Sequence, residues 1–376
     1  MKTAWLWLIV ALGCGDDASA VLDSGADTST DAGAADVGID AGAQTPLEQA
    51  WAAAVDDGFS GVAIVQRGDE TLLAEAAGEA NRAMGIPNTR ETVFDMGSLS
   101  KQFTGALLAR LAERGALSVE DTIGDFFPEA PADKAGITIH QLLTHTSGFP
   151  ESLGFDYDAL DRAGFLEDAF AAPLEAEPGE VHLYSNVGYS MAAAIAEVAT
   201  GATYEAALRT EILDRADLAW TGYLTPAWSE RTVATAYQGG VAIVANELPW
   251  GEEGPYWNLL GNGGLLTTAD DLVRWSEALA EEEVLTAESL ALYQGRLVDE
   301  GFGDTFYGYG WVQQTTPAGE LSWHDGGNGF YLAEVLRFRD AELTIVMLAN
   351  EDNRASVRLT RSLARAALPV LGGWDG

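Results

Sequence analysis

The sequence predicts an α+β domain in which an antiparallel sheet draws on both ends of the chain, helices flank it, and a mostly helical subdomain is inserted between its two halves. Three observations lead there. Strand-like apolar runs gather near residues 61–74 and return between residues 307 and 348. The long stretch between them carries apolar residues at helical spacing. With 47% apolar residues over 376 positions, the chain has ample material for a large core.

The opening stretch, MKTAWLWLIVALGC, has one base and an apolar run from Ala4 to Leu12, too short to cross a bilayer and patterned like a bacterial export signal. Ala11-Leu12-Gly13-Cys14 resembles a lipoprotein signal, in which Cys14 becomes the lipidated first residue; a cut after Ala18-Ser19-Ala20 would instead release a soluble protein. We take residues 1–14 as the signal and Cys14 as the lipidation site, because this sole cysteine has no partner for a disulfide. Residues 15–44 hold seven aspartates, no base and no aromatic residue. Such a segment buries no core and reads as a disordered, hydrated tether. The folded domain then occupies residues 45–372, outside the cytoplasm, periplasmic or at the cell surface.

Within it, a helix is predicted over Leu47 to Val55, followed by strands over Gly61 to Val65 and Thr71 to Ala74, joined through Gly68-Asp69. Ser98 to Arg114 places Leu99, Phe103, Leu107 and Leu111 four apart on one face and stops at Gly115. Further helices are predicted around Ile137 to Leu143, Asn186 to Ala199, Thr268 to Ala280 and Ala287 to Tyr293, interrupted by a hairpin turning at Gly239-Gly240. Strands return over Tyr307 to Gln314, Glu320 to Trp323, Tyr331 to Phe338 and Leu343 to Leu348, and a helix over Arg354 to Ala367 closes the fold.

Charge narrows the partners. Acids outnumber bases 58 to 20, a formal charge of -38, which argues against nucleic acid and anionic headgroups. A membrane would be reached only through the lipid anchor. The sequence has no Gly-x-Ser-x-Gly elbow, phosphate loop, GxGxxG or HExxH, and His140, His145, His182 and His324 lack metal-ligand spacing.

Lysine occurs only at positions 2, 101 and 134, and one of these follows a serine by three residues in MGSLSKQFTG. On a helix that spacing puts Ser98 and Lys101 one turn apart on the same side. The pair reads either as a helix cap with a solvated lysine, or as a nucleophile whose proton a desolvated lysine takes. A second proton carrier would complete the latter. Two Tyr-x-Asn segments offer one, Tyr184-Ser185-Asn186 and Tyr256-Trp257-Asn258; we select Tyr184, with Asn186 for a substrate carbonyl or amide, because it opens a helix after the turn Glu177-Pro178-Gly179-Glu180. A phenol can be drawn toward phenolate by adjacent cations. The third part is Ser322-Trp323-His324-Asp325-Gly326-Gly327, a glycine-rich strand edge. There the Gly327 N–H, with that of Ser98, could hold an oxyanion, and His324 could supply charge or a proton.

Together these parts resemble the serine β-lactamase and penicillin-binding-protein superfamily, nearest its class C β-lactamase-like branch with D,D-peptidase and esterase relatives. Ser98-Leu99-Ser100-Lys101 stands at its S-x-x-K, Tyr184-Ser185-Asn186 at its Y-x-N, and His324-Asp325-Gly326 in place of K-T-G. The resemblance covers about Phe59 to Ala367. It implies a β-lactamase/D,D-peptidase-like fold and a serine hydrolase of carboxylesterase, D,D-peptidase or aminopeptidase type. Ser98 would form an acyl-enzyme with an ester, amide or peptide, Lys101 and Tyr184 would relay the proton, and Gly326 and Gly327 would flank the oxyanion, without metal or organic cofactor. A β-lactamase, a D-alanyl-D-alanine carboxypeptidase and a non-turning-over penicillin sensor are the alternatives. Asp325, where the superfamily offers a hydroxyl, would repel a substrate carboxylate, so neutral or amine-bearing esters and amides are expected over penicillins.

Overall fold

A computed structural model describes residues 44–244 and 254–374. The signal, Cys14 and nearly all of the tether lie outside the described residues.

Thr45 starts the first helix for a local reason: its hydroxyl accepts the Glu48 N–H while the Glu48 carboxylate accepts the Thr45 N–H, a reciprocal cap on α1 (Pro46–Asp56). The main sheet follows with β1 (Gly61–Arg67) and β2 (Glu70–Ala77) and is completed late in the chain by β3 (Val298–Asp299), β4 (Thr305–Tyr307), β5 (Val312–Thr316), β6 (Gly319–Gly327), β7 (Leu332–Phe338) and β8 (Leu343–Ala349). Its order is β2-β1-β8-β7-β6-β5-β4-β3, antiparallel throughout. The two chain ends meet at β1 and β8, paired from Gly61 opposite Ala349 to Arg67 opposite Leu343.

Alternation along β8 assigns the two faces. Leu343, Ile345, Met347 and Ala349 pack with Leu359 and Leu363 of the terminal helix, whereas Val346 and Leu348 join the larger core of the helical layer. That larger core holds α2 (Ser100–Glu113), α3 (Asn186–Thr200) and α4 (Ala269–Ala280); α1 and α5 (Arg354–Ala367) cover the opposite face.

Two elements differ from the sequence reading. The run expected as one strand from Tyr307 to Gln314 is two, because Gly310, at φ +84°, is pressed so closely on α2 that a Cβ there would lie 2.6 Å from the Lys101 carbonyl. Helix α2 buries not one stripe but nearly its whole circumference, Ser100, Lys101, Gln102 and Thr104 included. It lies inside the helical layer with the sheet against one side, so polar residues that looked solvated are enclosed.

The turn before α2 and the end of β6 touch backbone to backbone. A Cβ on Gly326 would stand 2.1 Å from the Met96 carbonyl oxygen and 2.7 Å from the Ser98 nitrogen, and one on Gly97 would stand 2.8 Å from the Gly327 nitrogen. Gly326→Ala is therefore expected to destabilise the domain by about 1–3 kcal/mol, read as a lowered midpoint in thermal or urea unfolding. Gly136→Ala, whose Cβ meets nothing within 4 Å, should leave the midpoint in place. Equal midpoints for the two variants would contradict this approach.

Candidate active site

Ser98 stands in a single 3-10 turn, Gly97–Leu99, between the short strand Phe94–Asp95 and α2. Gly97 makes the turn possible at φ +52°, and the buried Asp95 carboxylate accepts its N–H at 2.8 Å. Asn328 donates to the other Asp95 oxygen at 3.3 Å, tying the loop after β6 to the same turn. Burial raises the Asp95 pKa to about 7 against the pull of the Gly97 hydrogen bond. No side chain caps α2, so Ser98 does not serve as a helix cap. Its hydroxyl oxygen instead faces Lys101 Nζ at 3.0 Å.

Lys101 is fully buried. Its Nζ also donates to Asn186 Oδ1 at 2.7 Å and to the Asn262 carbonyl at 2.8 Å. Three acceptors match the three protons of an ammonium group. In the neutral amine, two N–H bonds serve Asn186 and Asn262, and the freed lone pair points at the Ser98 hydroxyl. Burial drives the Lys101 pKa down to about 7, while Asp156, Asp325 and Glu151 pull it upward. The base form is thus accessible near neutrality, where a solvated lysine stays cationic.

Tyr184 lies half-buried across from this pair, with Lys101 Nζ 4.8 Å from its ring centre. Its segment is set by Ser185, which caps α3 by accepting the Gly188 N–H at 3.0 Å while its own N–H donates to His145 Nδ1 at 3.0 Å. The expected drift toward phenolate is not what the surroundings produce. Burial raises the Tyr184 pKa well above its ordinary value, and Asp325, Glu151 and Glu300 add to the rise, so the phenol keeps its proton in the free protein. The other Tyr-x-Asn segment is used differently: Tyr256 packs against the core, and Asn258 donates to the Phe155 carbonyl. Tyr157 and Trp257 likewise pack on that core.

On the opposite wall, Ser322, His324 and Gly326 are buried, whereas Asp325 and Gly327 are exposed. Trp323 turns to α5, with Arg361 4.9 Å from its ring centre, and Asp325 shares that side of the strand opposite Glu334. Asp325 therefore does not stand in the position from which the sequence reading had it repel a substrate. Among the carboxylates that act on Lys101, Asp156 weighs most. The structure brings Ser98, Lys101, Tyr184, Asn186, Gly326 and Gly327 around one point, and sets His324 behind them.

Sequence reasoning missed three contributors: the Asn262 carbonyl, Asp95 and Asp156. Only the density of glycine in Gly261-Asn262-Gly263-Gly264 hinted at the first; Gly261 turns there at φ +83°. Among the described residues no group of three or more His, Cys, Asp or Glu side chains is arranged to hold a metal ion.

A serine hydroxyl 3.0 Å from a buried lysine nitrogen, with a phenol across from the pair, where an antiparallel sheet meets a helical layer, defines a serine hydrolase that works through an acyl-serine. The family model described as Beta-lactamase matches residues 47–368, and the chain belongs to that family. It is 28% identical over 339 residues to "Penicillin-binding protein 4*" of Bacillus subtilis, covering 84% of this chain and 73% of the relative. It is 30% identical over 289 residues to "Esterase EstB" of Burkholderia gladioli, covering 66% and 72%. Two solved structures share the fold. A penicillin binding protein from Bacillus halodurans superposes with TM-score 0.72 at 24% identity over 86% of this chain and 99% of its own. EstCE1, a hydrolase with promiscuous acyltransferase activity, gives 0.74 at 23% identity over 85% and 97%.

Because cationic Lys101 cannot take a proton, kcat/KM for an ester should rise with pH through a midpoint near 7, the value burial gives that lysine. Lys101→Arg, which stays protonated, should lower kcat/KM by about 10²–10⁴-fold across the range. A flat pH profile, or an active arginine variant, would contradict the assignment of Lys101 as base.

Proposed function

We propose that this chain is an exported serine hydrolase of the class C-like branch that cleaves neutral or amine-bearing esters and amides. The observation that carries the reading is the buried Lys101 nitrogen, 3.0 Å from Ser98 Oγ and held by Asn186 and Asn262. Neutral Lys101 takes the Ser98 proton as Oγ attacks the substrate carbonyl. The N–H groups of Ser98 and Gly327, on the two segments that meet at Gly97 and Gly326, hold the oxyanion. Tyr184, kept as a phenol, gives its proton to the leaving group and regains one from Lys101. Asn186 spends its carbonyl on Lys101, which leaves its amide N–H groups for the substrate. Water then attacks the acyl-serine, with the proton path reversed.

Substrate preference follows from charge. Asp156 and Glu151, on the site's side, act on Lys101, and Glu151 and Glu300 act on Tyr184. A substrate carboxylate entering this field is repelled, whereas a neutral or ammonium-bearing substrate is not. The export pattern ahead of Cys14 supports a periplasmic or surface location with a lipid anchor.

The test is a hydrolysis panel of short-chain p-nitrophenyl esters, D-amino-acid amides and nitrocefin, run on the full chain and on Ser98→Ala. Esters or amides should be turned over more efficiently than nitrocefin, and Ser98→Ala should remove the activity. Efficient nitrocefin turnover with little ester hydrolysis would move the chain to the β-lactamases. A stable adduct with a β-lactam and no turnover of any substrate would make it a penicillin sensor, a reading that the name of the Bacillus subtilis relative favours.

A further inference from the structure

His145 follows the short helix Ile139–Leu143 in the left-handed backbone region, at φ +57°. The chain makes an ordinary helix end there, with the Thr146 N–H donating to the Gln141 carbonyl at 2.9 Å. Glycine fills such a position without strain. A histidine in its place, fully buried, is a strained choice that points to a use for the side chain.

Its contacts converge on Tyr184. The Leu183 N–H donates to the His145 carbonyl at 2.7 Å, and the Ser185 N–H donates to His145 Nδ1 at 3.0 Å. Tyr184 is thus flanked on both sides by backbone bonds to one residue. The imidazole also lies against the phenol ring, with centres 4.3 Å apart and planes tilted by 35°. Bonds on either side of a residue set the direction of its Cα–Cβ bond, and a packed ring face sets the torsions that remain. The next residues are anchored from elsewhere: Ser185 Oγ donates to the Pro150 carbonyl at 2.8 Å, and the Asn186 N–H to the Glu151 carbonyl at 2.9 Å.

A backbone N–H only donates, so Nδ1 meets Ser185 with a lone pair and the neutral ring carries its hydrogen on Nε2. An imidazolium would set a second donor against the Ser185 N–H and lose that bond. The surroundings hold the ring neutral. It is enclosed by the rings of His182, Tyr184, Tyr189 and Tyr307, and burial, with the charges of Lys101, His182 and His324, disfavours a proton on it.

We propose that His145 is a positioning residue for Tyr184, aiming the phenol at the leaving group through its carbonyl, its Nδ1 lone pair and its ring face. The proposal rests on the reading of Tyr184 as the donor of the leaving-group proton, and it adds the residue that holds this donor in place.

Two esters of one acid separate this task from the rest of acylation: p-nitrophenolate leaves without a proton, whereas ethoxide needs one. We would measure kcat/KM, which covers the steps up to the acyl-enzyme, for p-nitrophenyl butyrate and ethyl butyrate on the full chain. His145→Gly accepts the left-handed backbone and removes both side-chain contacts. It should lower kcat/KM for the ethyl ester by about 10–10²-fold and for the p-nitrophenyl ester by no more than about threefold. His145→Asn tolerates the same backbone, and its Oδ1 can take the Ser185 N–H, so about three- to tenfold of that loss should return. Adding Tyr184→Phe to His145→Gly should lower ethyl ester turnover no further than Tyr184→Phe alone, since both act through one phenol.

Equal losses on the two esters, no loss on either, an asparagine variant no better than glycine, or additive losses in the double variant would overturn the proposal. Should thermal unfolding show that His145→Gly does not fold, His145→Asn against wild type carries the same comparison, and an equal effect on both esters would again overturn it. Tyr184→Phe alone tells the two claims apart. If it spares the ethyl ester, the proton-donor reading fails and the proposal falls with it; if it lowers the ethyl ester selectively and His145→Gly does not, the proposal alone fails.

Discussion

The site depends on keeping one lysine nitrogen out of water. Lowering the Lys101 pKa from 10.5 to about 7 amounts to roughly 5 kcal/mol against the ammonium form. The fold sustains that cost because the nitrogen meets acceptors from three separate segments: Ser98 on the turn before α2, Asn186 on α3, and the Asn262 carbonyl of a glycine-rich turn. A reaction that needs a base near neutrality thus obtains one from a side chain that, in solvent, would stay protonated.

Close backbone approach makes this enclosure possible. Gly310 lets the connection between β4 and β5 press on the first turn of α2, and Gly97 and Gly326 let the turn before α2 touch the end of β6. A side chain at any of these points would hold the layers apart and admit water to Lys101. The glycines that bring the Ser98 and Gly327 N–H groups close are therefore also the ones that enclose Lys101. Asp95 links the two functions, accepting the Gly97 N–H on one oxygen and Asn328 on the other.

Much of this was legible in the sequence, and the reason is local spacing. Ser98 and Lys101 are three residues apart, Tyr184 and Asn186 two, and His324 to Gly327 form one strand end, so each group is read from a few neighbouring letters. The runs that became β1, β7, β8 and α5 were legible for the same reason, since apolar periodicity reports the buried face. What stayed hidden depends on segments far apart in the chain. The Asn262 carbonyl reaches Lys101 across 161 positions, and backbone carbonyls leave no mark on residue choice. Asp156 sits in a loop whose letters look like ordinary surface. Asp325 was misplaced because a one-residue step along a strand reverses the face, and without the sheet register that face could not be assigned. The break at Gly308-Tyr309-Gly310 was read through because the sequence does not reveal what approaches a glycine.

The central claim is that Ser98 is the atom-bearing residue that becomes acylated. The most direct measurement exposes the full, folded chain to a fluorophosphonate probe, weighs the intact protein, and maps the adduct by digestion. One adduct per chain, on the peptide carrying Ser98 and absent from Ser98→Ala, is the expected result. An adduct on another residue, or no adduct on folded protein that turns over an ester, would contradict it.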